Sequence, residues 1–201
     1  AMNNFWSLNL SLKDNPSEFI WQQLPPIPGK PRALNITEAQ HDGQTGCIFV
    51  ISGRTQTGQD ASDVEFLSDV YKFSPQDYKS LAREGKNLNG AWQECAPFLL
   101  SNDPINVSQF NEIPDKHHDF FYPTASVAYS DSHILFFFNT DVFAYHTITD
   151  TWVKFGSAFD RNIVSNALIS SGNAAVVLIG NKENIVANFS LMPEIRSFGL
   201  L

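Results

Sequence analysis

Apolar positions in this chain come in short runs of four to seven residues, each bounded by Gly, Pro, Asn, Asp or Ser. Runs of that length between turn residues are the signature of β-strands. They predict strands at Phe5–Leu10, Phe19–Leu24, Cys47–Ile51, Val70–Phe73, Trp92–Cys95 and Thr124–Tyr129. Further strands are predicted at Ile134–Phe138, Val142–Tyr145, Thr151–Phe155, Ser165–Ile169, Ala175–Ile179 and Ile185–Leu191. No stretch sustains a period of 3.6, and only Tyr78–Gly85 (YKSLAREG) reads as a helical turn, inside an insertion. The expected class is all-β.

The runs recur in a fixed order, which says more than their number. An apolar run ends in Ser52-Gly53, another in Ile179-Gly180, with Phe138-Asn139 in the equivalent place. An Asp-Val-aromatic strand follows, as Asp69-Val70-Tyr71-Lys72-Phe73 and again as Asp141-Val142-Phe143-Ala144-Tyr145. A Trp strand closes each unit, at Trp21, Trp92 and Trp152, and an Arg opens the next unit at Arg32 and Arg161. The physical logic is consistent: small residues allow a tight turn, and the aromatic rings pack between neighbouring sheets.

This order resembles the Kelch repeat, a four-stranded blade of a β-propeller, most clearly in DVFAYHTITDTW (Asp141–Trp152). The implied architecture is a partial propeller over residues 3–191, with 192–201 as a tail or boundary. Its parts are a half blade at Phe5–Leu24, blades at Arg32–Phe98 and Phe120–Phe155, and a partial blade at Ser165–Leu191. A closed propeller needs at least four blades, so further blades or self-association are expected to complete it. The opening Ala1-Met2 reads as a cloning remnant ahead of mid-protein sequence.

A narrower likeness lies in WQQLPPIPGKPR (Trp21–Arg32), IFVISGR (Ile48–Arg54) and EFLSDVYKFSP (Glu65–Pro75). This block resembles the cyclically permuted branch of the N-acetylneuraminate (sialic acid) mutarotase family, whose members are six-bladed Kelch propellers. The resemblance implies interconversion of the α and β anomers of sialic acid or a related acidic sugar, without metal or nucleotide cofactor. It also implies a periplasmic or otherwise extracytoplasmic location. Some members are fused to a membrane transporter domain, a boundary that the terminal FGLL would fit.

Anomer exchange needs one group to take the proton of the anomeric hydroxyl and another to protonate the ring oxygen, with an anchor for the sugar carboxylate. Arg32 is the best-placed anchor, since a guanidinium fork matches a carboxylate, although an Arg there could equally bridge adjacent blades. Arg54, after the glycine turn, and Arg161, in the Arg32-like position of a later blade, are further substrate-binding candidates. The family's turn carrying the catalytic Glu corresponds to LIGNKENIVANF (Leu178–Phe189), so Glu183 stands for the acid–base group. The Arg that follows it in the family has no counterpart here. In the insertion Phe98–Phe121, adjacent His117 and His118 point to opposite sides of an extended segment and cannot easily chelate one ion. A lid reading brings His118, with the neighbouring Tyr122, to the sugar. His41, His133 and His146 lack metal-ligand spacing and read as structural. The alternative function is a non-catalytic Kelch module that grips a protein or a glycan.

Composition narrows these choices. The chain of 201 residues is 43% hydrophobic and 17% charged, which excludes wholesale disorder. A formal net charge of −8 argues against nucleic acid as a partner. Cys47 and Cys95 form no metal motif and are expected to be buried small side chains. No copper constellation of Cys, Tyr and His is present in the sequence pattern.

Overall fold

The computed structural model describes residues 2–59, 63–98, 125–136 and 142–153, together with the backbone alone at 137–138, 141, 154–157, 165–171, 175–180 and 186–190. Antiparallel sheet dominates. β1 (Phe5–Ser7) and β2 (Gln22–Leu24) form a two-stranded ribbon. A four-stranded sheet follows, in the order β3 (Ile36–His41), β4 (Gly46–Ile51), β7 (Val70–Phe73), β8 (Trp92–Cys95). Between its second and third strands a second ribbon is inserted, β5 (Arg54–Gln56) with β6 (Val64–Phe66). The next sheet runs β9 (Ala125–Tyr129), β10 (His133–Phe138), β11 (Asp141–His146), β12 (Thr151–Ser157). The last has three described strands, β13 (Ser165–Ser171), β14 (Ala175–Gly180) and β15 (Val186–Ser190). Within each sheet spatial order follows chain order, so neighbouring strands are joined by antiparallel returns, some carrying inserted elements.

Strand character follows burial. β4 (GCIFVI) sits inside its sheet with Cys47, Phe49, Val50 and Ile51 all buried, which explains its unbroken apolar run. β3 (ITEAQH) went unpredicted because its run is polar: only Ile36 and Gln40 are buried. Gln40 is held there by donating from Nε2 to the carbonyls of Tyr129, Ser130 and His133 at 3.3, 2.9 and 2.9 Å. The sole described α-helix, α1 (Pro75–Arg83), begins earlier than the YKSLAREG reading. Ser74 caps it by accepting from the Asp77 N–H at 3.1 Å, and Pro75 occupies the first turn.

One core cluster joins the two four-stranded sheets: Phe49, Ile51 and Val70 on one side meet Ile134, Phe136, Phe143 and Tyr145 on the other, with Phe98 among them. Each such side chain, fully buried, contributes about 1.5–3 kcal/mol. The opposite face of the β3–β8 sheet, around Phe73 and Trp92, is covered by Phe5, Leu24 and Ile27 and by Tyr78 and Leu81 of α1. The first strands of successive sheets lie side by side, β3 by β9 and β9 by β13.

The sequence repeat has a counterpart in three dimensions. The Trp92 indole N–H donates to the Pro25 carbonyl at 3.0 Å, and the Trp152 indole N–H donates to the Ala96 carbonyl at 3.0 Å. Pro25 lies four residues after Trp21, and Ala96 four after Trp92. The main chain repeats too: the Ile27 N–H donates to Asn3 at 2.8 Å and the Phe98 N–H to Ser68 at 2.7 Å. Phe5 pairs with Leu24 as Val70 pairs with Cys95. By these three correspondences β1 and β2 are the equivalents of β7 and β8.

Candidate functional site

Two kinds of connection leave the β3–β8 sheet at one end: the entry into β3 (residues 25–35) and the link from β4 to β7 (residues 52–69). They are knitted together. Ala33 and Arg54 exchange two main-chain hydrogen bonds of 2.9 Å, and Lys30 pairs with Glu65 at 2.6 Å on the surface. Gly53, at φ +113°, allows the close approach, since a Cβ there would meet the Ala33 carbonyl at 3.0 Å.

At the centre of this end lies Arg32. Its side chain is wholly buried, and its fork is filled by Asp69, with Nη1 to Oδ1 at 2.8 Å and Nη2 to Oδ2 at 2.7 Å. Nη1 also donates to the Ser52 carbonyl at 3.1 Å and Nη2 to the Pro28 carbonyl at 3.3 Å. The guanidinium carbon stands 5.4 Å from the centre of the Tyr71 ring. Only Nε lacks a hydrogen-bond partner among the described residues. Burial, and then the Asp69 charge, raises the Tyr71 phenol above its ordinary pKa, so it stays a neutral hydroxyl at physiological pH.

Arg32 therefore presents no open fork: the carboxylate it binds is the protein's own. It ties the entry into β3 to the start of β7, both belonging to one sheet unit. Asp69 was visible in the sequence as the first residue of the Asp-Val-aromatic strand, but its partner was not, because the pair lies 37 residues apart. Gly29 belongs to the same arrangement. It has φ +76°, and a Cβ there would meet Asp69 Oδ2 at 2.8 Å and the Tyr71 hydroxyl at 2.9 Å.

Arg54 is half-buried in β5, paired in register with Phe66. It lies at the same end as Arg32 but in the inserted ribbon. Glu183, Arg161, His118 and Tyr122 lie outside the described residues. The strand ends bracketing Arg161 and Glu183 are described: β12 ends at Ser157 and β13 starts at Ser165, while β14 ends at Gly180 and β15 starts at Val186. These are the same two kinds of junction, into a first strand and from a second strand to a third, that carry Arg32 and Arg54.

The opposite end of the sheets holds a different set of polar groups. Asp42 accepts from Lys72 Nζ at 2.8 Å and from the amides of Gln44 and Thr45 at 3.0 and 2.9 Å. Burial works against its charge, but these bonds win and hold its carboxyl well below the usual range. His133 and His146 face each other across β10 and β11, their rings 4.6 Å apart. His41 Nδ1 accepts from the Gly43 N–H at 2.9 Å and His146 Nδ1 from the Thr149 N–H at 3.0 Å, which fits the structural reading of these histidines. Among the described residues no three His, Cys, Asp or Glu side chains are grouped as metal ligands. Likewise, no described helix is long and apolar enough to cross a membrane.

Compared with models of known families and with curated proteins, the chain matches none.

Proposed function

We propose that the chain supplies blades of a Kelch-type β-propeller of the mutarotase kind, acting on sialic acid or a related acidic sugar. The observation that carries this reading is the repeated unit: successive antiparallel meanders, the first three of them joined step to step by the same indole-to-carbonyl bond. Two kinds of junction recur at one end of those units, and every residue assigned to the sugar falls in one of them. On this reading Arg32 fixes the shape of the end, and the sugar's carboxylate goes to Arg54 or Arg161. Glu183 takes the proton of the anomeric hydroxyl as the ring C–O bond breaks. The ring oxygen gains a proton, and reclosure on the other face of the carbonyl reverses both transfers. Neither metal nor nucleotide is needed. An extracytoplasmic location beside a sugar transporter would suit this activity.

A second reading is supported by the Arg32–Asp69 pair. With its best-placed guanidinium already occupied, the end is suited to gripping a protein or glycan without chemistry.

Proton NMR of freshly dissolved α-sialic acid separates the two. Return of the carbon-three ring protons to the anomeric equilibrium is followed with and without the protein bearing all its blades. Acceleration that disappears in Glu183→Gln supports the mutarotase. Saturable binding without acceleration supports the second reading, and neither effect removes the acidic sugar altogether.

A further inference from the structure

The carboxylate that fills the Arg32 fork has a counterpart in the next sheet. Register fixes the equivalence. Ile36, Ile51 and Val70 lie in one row across β3, β4 and β7, as Ala125, Phe137 and Val142 do across β9, β10 and β11. Asp69 precedes Val70, and Asp141 precedes Val142. Both rows lie at one end of the molecule, because the opposite ends of the two sheets are bonded to each other. There Gln40, near the end of β3, donates to the Tyr129, Ser130 and His133 carbonyls. Thr147 Oγ1, just past β11, donates to the His41 carbonyl.

The guanidinium is not repeated. Arg32 stands four residues before Ile36, and the residue four before Ala125 is Phe121. The sequence holds no arginine between Arg83 and Arg161. Asp141 thus has the position of Asp69 without an arginine from its own sheet. The backbone differs there too. Phe138 pairs directly with Asp141, so no ribbon like β5–β6 is inserted between β10 and β11. The β11–β12 register shifts between Val142 and Phe143, whereas β7 pairs with β8 without a break. Bulges of this kind are over-represented beside active sites. In the neighbouring sheet, whose first strand β13 lies beside β9, the corresponding row is Ala167, Ile179 and Val186. Glu183 falls in its β14–β15 link, between Gly180 and Val186. Topology therefore puts Asp141 and Glu183 in the second-to-third-strand links of neighbouring sheets.

We infer that Asp141 is the second acid–base residue of the proposed anomer exchange, the one that protonates the ring oxygen. The inference rests on the mutarotase reading, which leaves the donor of that proton unassigned. As the bond between the anomeric carbon and the ring oxygen breaks, the Asp141 carboxyl gives its proton to that oxygen. Glu183 takes the proton of the anomeric hydroxyl, whose oxygen becomes the carbonyl. On reclosure the Asp141 carboxylate recovers the proton of the open-chain hydroxyl. The Glu183 carboxyl returns its own proton to the carbonyl oxygen, so none is gained or lost over the cycle. Asp69 cannot serve, since Arg32 engages both of its oxygens.

The anomer assay on the protein bearing all its blades tests this with Asp141→Asn. The rate should fall roughly 100-fold or more, with sugar binding kept in saturation-transfer NMR. The parent rate should decline at alkaline pH, where the donor has lost its proton, and that decline should vanish in the variant. Asp141→Glu should recover part of the rate. The urea midpoint of Asp141→Asn should match that of the parent, whereas the midpoint of Asp69→Asn falls. An unchanged rate overturns the inference, and so does an alkaline decline that persists in the variant. A midpoint lowered as in Asp69→Asn also overturns it, by making Asp141 a structural partner. A parent that does not accelerate the exchange removes the mutarotase reading and this inference with it. An active parent with an equally active Asp141→Asn removes the inference alone.

Discussion

Arg32 and Asp69 meet in a two-pronged ion pair, 2.7 and 2.8 Å, with the guanidinium wholly buried and the carboxylate 23% exposed. That asymmetry decides which partner is dangerous to remove. Asp69→Asn leaves a buried cation without its counter-charge and should cost about 3 kcal/mol in urea unfolding. Arg32→Met leaves a carboxylate that water can reach, and about 1–2 kcal/mol is expected. The double variant should recover part of the sum. A cost under about 0.5 kcal/mol for Asp69→Asn would show that the pair does not hold this end together.

Gly29 offers a test of the same pair from the backbone. Gly29→Ala combines a left-handed residue with a Cβ placed 2.8 Å from Asp69 Oδ2. Gly85, at φ +65° with open space around it, is the control that carries the backbone cost alone. Gly85→Ala should cost about 1 kcal/mol and Gly29→Ala at least about 1 kcal/mol more. Equal losses at the two positions would mean that the ion pair adjusts freely.

A pH dependence is expected from His133. Burial, and then the neighbouring His146, lowers its pKa from 6.5 to about 4. The unfolded chain thus binds a proton that the folded chain refuses between those values. This contribution to stability is complete above about pH 6.5, declines as the pH falls toward 4, and is fully lost below that. Urea midpoints measured across this range should fall less steeply with acid in His133→Gln than in the parent. Parallel slopes would exclude His133 as the source.

Both cysteines are buried and free. Burial, and then the Asp42 charge, pushes the Cys47 thiol up to about 12, and burial raises Cys95 as well. Neither should be thiolate near neutrality. A disulfide-exchange reagent at pH 8 should react only as the protein unfolds, with the two thiols appearing together with loss of sheet structure. Rapid reaction of either in the native protein would contradict their placement.

How far the sequence led depended on what each residue depends on. β7 and β8 lie at Val70–Phe73 and Trp92–Cys95, the bounds expected from their pattern, because the apolar residue at each end of each strand is buried. β3 was missed because Gln40 is buried by hydrogen bonding to another sheet's carbonyls, which no local pattern encodes. Phe5–Leu10 shortened to Phe5–Ser7 because Asn9 accepts from the Ser11 N–H and starts a 3₁₀ turn. At the candidate site, Arg32 was legible as a carboxylate binder, and the carboxylate it holds was not, since only the fold brings Asp69 to it.

The paired bonds from Ile27 to Asn3 and from Phe98 to Ser68 are made by main-chain atoms alone. An amide and a carbonyl are present at nearly every residue, so selection on side chains has no hold on them. Ile can stand where another unit has Phe, and Asn where another has Ser, with the joint intact. Successive units are thereby free to drift apart in composition while keeping one geometry. The resemblance between them then survives as the positions of a few tryptophans more clearly than as shared letters.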